Sequence, residues 1–179
     1  PITDLMVYRK DLVVSTQGRA FWVLDDLSVV HQVSDKLASA GAHLFKPRDA
    51  YRLGVGPASI FYSLADAPKQ PVTIEVSDAK GTVVARYLSG AAGAPAGGGR
   101  RGGPSAADAA PKAGLNRFDW EMRHDPLFEV PRGAVLWGYG RSGAAGPRVV
   151  PGQYQVKVSS GSWSQVQTFQ VNGDPRIKM

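Results

Sequence analysis

Asp119 and Glu121 are the residues whose types and spacing come nearest to a catalytic arrangement. On an extended strand they would share one face about 7 Å apart, inside the roughly 5–10 Å that separates the two acids of a glycoside hydrolase. They alternate with Arg117 and Arg123, however, so charge pairing on a wet strand face accounts for them without catalysis. Asp25 and Asp26 are adjacent, and neighbours on a strand point to opposite faces, which argues against a shared metal or a carboxylate pair. His31 and His43 stand alone, with no partner at metal-ligand spacing. Ser160-Gly161-Ser162 reads as a hairpin turn without an associated base, and Gly97-Gly98-Gly99 lacks the lysine and hydroxyl of a phosphate-cradling loop. With no Cys, thiol catalysis, disulfides and zinc ribbons are excluded. The expectation is therefore no catalytic residue, no cofactor and no metal within this segment. Trp137 and Tyr139, set among glycines, are the candidate binding residues: an exposed pair would stack on a sugar ring or a partner protein, whereas packing on a sheet edge would be purely structural.

These residues need elements to position them, and 179 residues suffice for one medium domain plus a smaller piece. The 21 Lys and Arg against 15 Asp and Glu give a formal charge of +6, but the basic residues are scattered. A nucleic-acid footprint concentrates them on one stripe, often with stacking aromatics, so nucleic acid is not an expected partner. Arg100-Arg101 within glycines is read as part of a solvated linker. No run approaches the roughly 18 apolar residues of a membrane-spanning helix, and no membrane insertion is expected. The opening Pro1-Ile2-Thr3-Asp4 has neither an initiator Met nor a signal-peptide pattern, which suggests a piece of a longer product.

Three short apolar runs, Leu5 to Tyr8, Leu12 to Thr16 and Ala20 to Leu24, are separated by turn-forming Arg9-Lys10-Asp11 and Gln17-Gly18-Arg19. They predict a three-stranded meander with open edges and an apolar face that needs neighbours. Leu27, Val30, Val33 and Leu37 then recur at helical spacing, with Ser34-Asp35 as capping groups and Gly41 as a stop, predicting a connector with one or two helical turns.

From about Ala58 the apolar period becomes two. Ile60, Tyr62 and Leu64 share a face, as do Val72, Ile74 and Val76; Asp78 to Gly81 is a turn, and Thr82 to Leu88 returns. Phe118, Trp120 and Met122 face inward, as do Tyr154, Val156 and Val158. Ser162 to Val171 is a final strand whose change of phase between Val166 and Phe169 predicts a bulge. About seven short strands with turns between them predict an all-β chain in which a β-sandwich follows the meander. The Gly, Ala and Pro-rich loop 90–113 cannot bury enough apolar surface to offset ordering and is expected to be a flexible insertion.

The stretch Asp11-Leu12-Val13-Val14-Ser15-Thr16-Gln17-Gly18-Arg19-x-Phe21-Trp22-Val23-Leu24-Asp25-Asp26 resembles the last blade of sortilin-like, BNR-repeat β-propellers, found in large exported bacterial proteins of the glycosyl hydrolase or xyloglucanase-like type. In that resemblance Gly18 makes a tight turn, Trp22 packs between blades, and Arg19 and Asp25 belong to the blade motif. Gln17 stands where many relatives carry His, so nothing resting on that imidazole carries over. Gly114-Leu115-Asn116-Arg117-Phe118-x-Trp120-x-Met122-Arg123 and Val150-Pro151-Gly152-x-Tyr154-x-Val156 resemble the immunoglobulin-like domain, of fibronectin III or hook-capping type, that follows the propeller. Phe118, Trp120 and Tyr154 are then structural, Tyr154 tying down a loop as a tyrosine corner does.

The resemblance implies blade strands at 1–28, a connector with a short helix at 29–52, an immunoglobulin-like sandwich at 53–173 and a cut tail at 174–179. It implies an exported, periplasmic or extracellular protein whose partner is the rest of a propeller polypeptide or another chain, with polysaccharide a further candidate ligand. The expected function is a non-catalytic structural and interaction module. The alternative is an accessory domain of a glycoside hydrolase or sialidase-like propeller enzyme whose active site lies elsewhere.

Overall fold

A computed structural model describes residues 1–8, 10–34, 37, 40–52, 56–89, 111–125 and 146–177. The chain divides into two compact units, Pro1–Ala40 and Gly41–Met179.

The first unit is an antiparallel meander of β1 (Ile2–Tyr8), β2 (Asp11–Thr16) and β3 (Phe21–Leu24), in that spatial order. The turns follow the sequence only in part. Gly18 takes the left-handed backbone at φ 83°, as its lack of a Cβ allows, but Lys10 and Ala20 also adopt positive φ, at 74° and 59°. A single helical turn follows, α1 (Ser28–Gln32). Its entry is held by carboxylates: the Asp26 amide donates to Asp11 Oδ1, and the Ser28 amide to Asp26 Oδ1. The predicted apolar stripe points inward only in part, with Leu37 half-buried. Leu27 and Val29 are buried, while Val30 and Val33 are 61% exposed. A helix this short presents no complete apolar face, so its burial follows the chain entry and not the 3.6-residue period.

The second unit is a two-sheet sandwich, and among the described residues the chain is all-β apart from α1, helical Leu37 and short turns. Its strands are β4 (Ala42–Leu44), β5 (Ala50–Tyr51), β6 (Ala58–Leu64), β7 (Val72–Asp78), β8 (Val83–Ser89), β9 (Gly114–Trp120), β10 (Gly152–Ser160) and β11 (Trp163–Asn172). One sheet has the order β4-β6-β9, the other β5-β11-β10-β7-β8, with β5 parallel to β11. The crossing from β8 to β9 changes sheets and the return to β10 changes back, the Greek-key path of an immunoglobulin-like sandwich.

Alternation explains the layers. Ala58, Ile60, Tyr62 and Leu64 of β6, Val72, Ile74 and Val76 of β7, and Tyr154, Val156 and Val158 of β10 are buried in one cluster. The intervening residues are partly or fully exposed, as a period of two requires. The core centres on aromatics: the Trp120 ring lies 5.6 Å from Tyr154 and 6.1 Å from Phe169. The Trp120 indole N–H is satisfied by the Arg123 carbonyl, and buried Asn116 bonds the backbone of Lys112 and Gly114. The bulge predicted in the last strand is absent. Pairing of β10 with β11 runs unbroken from Gly152–Val171 to Ser160–Trp163. The irregularity lies instead opposite Val76 and Ser77, where Val84 is the extra residue and both Val84 and Ala85 are buried.

Candidate interaction surface

In the meander the register sorts the side chains into two faces. Leu5, Val14 and Trp22 form one cross-strand row, and Val7, Leu12 and Leu24 form the next row of the same face. All six are apolar. The opposite face carries the row Met6, Val13 and Val23, flanked by Asp4, Ser15 and Phe21 on one side and by Tyr8 and Asp11 on the other. Successive residues Leu5 to Tyr8 and Phe21 to Leu24 are each more than half exposed, so both faces are open. A sheet with one wet face alternates apolar and polar residues, whereas a sheet covered on both faces reads as a continuous apolar run. FWVL of β3 and LMVY of β1 have the second pattern, without the cover.

The residues named from the sequence in this unit fall on or beside that sheet. Gly18 and Arg19 lie in the β2–β3 turn; Trp22 is 61% exposed, its indole N–H donating to the Arg19 carbonyl at 3.1 Å. Asp25 is exposed just past β3, while its neighbour Asp26 turns back towards the hairpin. His31 is exposed at the end of α1.

On the sandwich the carboxylates are engaged by neighbouring cations. Asp119 Oδ1 accepts from Arg117 Nε at 2.8 Å and from the Ser59 hydroxyl at 2.8 Å, and Arg117 lies over the Phe61 ring. Glu121 pairs with Arg123 at 3.8 Å. His43 is half-buried on β4, edge-on to Phe45, and burial lowers its pKa from the ordinary value. Ser160 reaches only the Gln70 carbonyl, at 3.5 Å. Among the described residues no group of three or more His, Asp or Glu is placed to hold a metal ion, and no helix is long and apolar enough to cross a membrane. Phe118 and Trp120 are core residues, and the Tyr154 hydroxyl donates to the Val150 carbonyl, four residues upstream, at 2.7 Å. Trp137 and Tyr139 lie outside the described residues, as do residues 90–110 of the glycine-rich loop.

Three polar side chains that the sequence reading passed over seal the sandwich. Gln165 accepts from the Leu44 amide and donates to the Leu44 carbonyl, and Gln167 donates to the same carbonyl. Their amides thus occupy the edge of β4 as a neighbouring strand would. Asp125 does the same for β8, its carboxylate accepting from the Arg86 amide and its own amide donating to the Val84 carbonyl. The glutamines were visible in the sequence as polar residues at inward positions of a period-two strand.

No family model and no curated protein matches the chain. Among solved structures, PorZ, described as an essential bacterial surface component of the type-IX secretion system of Porphyromonas gingivalis, aligns at 12% identity and TM-score 0.36 over 95% of this chain and 22% of its own. An engineered protein aligns at 15% identity and TM-score 0.31 over 74% of this chain and 19% of its own. The chain spans about a fifth of the length of each, and scores this low carry no assignment of fold or function.

Proposed function

We propose that this chain is a non-catalytic structural and interaction module, the sandwich-bearing part of an exported β-propeller protein, in which the meander supplies strands to a larger β-assembly. The observation that carries this reading is the meander itself: three strands with exposed apolar rows on both faces, in a chain whose other unit is a sandwich with its own core. Such a sheet is stable only as an inner layer, and packed blades of a propeller supply layers of that kind. The blade-like stretch from Asp11 to Asp26 agrees with this in sequence. Trp137 and Tyr139 are assigned to contact with a partner protein or polysaccharide.

Limited trypsin digestion tests the reading. In the free chain, Lys10 and Arg19 sit at exposed turns and are cut before any Lys or Arg within the strands of the sandwich. In the natural assembly both sites are shielded. Equal cleavage rates at Lys10 and Arg19 in the two states would contradict the proposal.

A further inference from the structure

The edges of the meander are not equivalent. Tyr8 and Asp11 are register partners across a two-residue connection and exchange backbone hydrogen bonds. Alternation then aims the amides of Leu5 and Val7 away from β2, at the outer edge of β1. On β2 the groups of Leu12 and Val14 face β3, consistent with the Thr16 amide donating to the Ala20 carbonyl. Trp22 and Leu24 therefore bond inward, and the N–H and C=O groups of Phe21 and Val23 form the outer edge of β3.

The β1 edge is guarded: the Asp4 carboxylate accepts from the Leu5 amide at 2.8 Å, and a strand arriving there must displace a charge. Strand β3 contains no charge, no proline and no bulge. The sandwich edges at β4 and β8 are occupied by Gln165, Gln167 and Asp125. We infer that the outer edge of β3 is a strand-acceptor site, completed by an uncharged extended segment of a partner with apolar side chains on both of its faces. Only a strand satisfies alternate outward N–H and C=O groups, and only one apolar on both faces continues the rows ending at Trp22, Val23 and Leu24. The inference rests on the interaction reading above and names the edge at which the contact forms.

The test uses the full chain and a short fluorescein-labelled peptide of Val, Ile and Thr flanked by Lys, with an otherwise identical peptide N-methylated at alternate amides as control. Binding is expected to slow hydrogen exchange at the Phe21 and Val23 amides, and the methylated peptide is expected not to bind. Val23→Pro removes an outward donor without breaking the β2–β3 ladder and should weaken binding by about tenfold, while Lys80→Ala on the β7–β8 turn of the sandwich leaves it unchanged. If Val23→Pro fails to fold, exchange protection and the methylated peptide still decide. Protection at Leu5 and Val7 instead, equal binding of the methylated peptide, or no binding overturns the inference. So does self-association of the free chain that Val23→Pro abolishes, because a second copy would then be the occupant. Peptide binding without protection at Phe21 and Val23 would sink strand addition while leaving the interaction reading to the trypsin comparison.

Discussion

Single side chains settle several questions in this molecule that backbone pattern leaves open. Tyr154 is an example: its ring fills the core beside Trp120 while its hydroxyl fixes the Val150 carbonyl. Tyr154→Phe keeps the ring and leaves that carbonyl without its partner, so a loss of about 1 kcal/mol in denaturant unfolding is expected, with the far-ultraviolet spectrum unchanged. Tyr62 and Tyr87 are pushed up to about 12, both chiefly by burial, Tyr87 also by the carboxylates of Asp125 and Glu121. From the ordinary 10.0 up to about 12 the unfolded chain releases phenolic protons that the folded chain keeps. Their contribution to stability is thus fully present below about pH 10 and is lost as pH rises through about 12. An absorbance titration should show Tyr62 and Tyr87 ionising late, with Tyr154 also raised by burial, and melting temperatures should fall across the same window. Ionisation of every tyrosine near the ordinary value would show that these two rings are not buried as described.

At the scale of elements, the seam between β4 and β11 is closed by glutamine amides in place of a backbone ladder. Gln165→Leu combined with Gln167→Leu removes every side-chain bond to Leu44, so a destabilisation of about 1–3 kcal/mol is expected, together with concentration-dependent association through the uncovered edge of β4. A variant that is equally stable and monomeric at every concentration would show that the amides guard nothing. The same strand shows where sequence reading succeeds and where it fails. Period-two alternation makes β6, β7, β9 and β10 legible, because each has one apolar face and the core takes it. In β11 the inward positions include Gln165 and Gln167, and an apolar-only pattern misreads them as a shift of phase. Their partner, Leu44, is more than a hundred residues away in sequence, at |i−j| of 121 and 123, and no local signal announces it. The α1 stripe fails for a different reason, since five residues are too few for periodicity to govern burial.

At the scale of the whole chain, two units of opposite character share one polypeptide. Among the described residues the sandwich has buried aromatics, satisfied buried polar side chains and guarded edges at β4 and β8, the properties of a domain that folds by itself. The meander has apolar rows on both faces and an unguarded strand, the properties of a layer that belongs inside something larger. The meander was legible from Leu5 to Leu24 as alternating runs and turns, but its two-sided openness becomes visible only once register assigns each side chain to a face. The most direct measurement is the intact mass and terminal sequence of the polypeptide as it exists in its source. A mass well above 19.0 kDa, with further blade-like strands in the additional sequence, is the predicted result. A monomeric natural product of 19.0 kDa, with the meander uncovered in solution, would contradict the account.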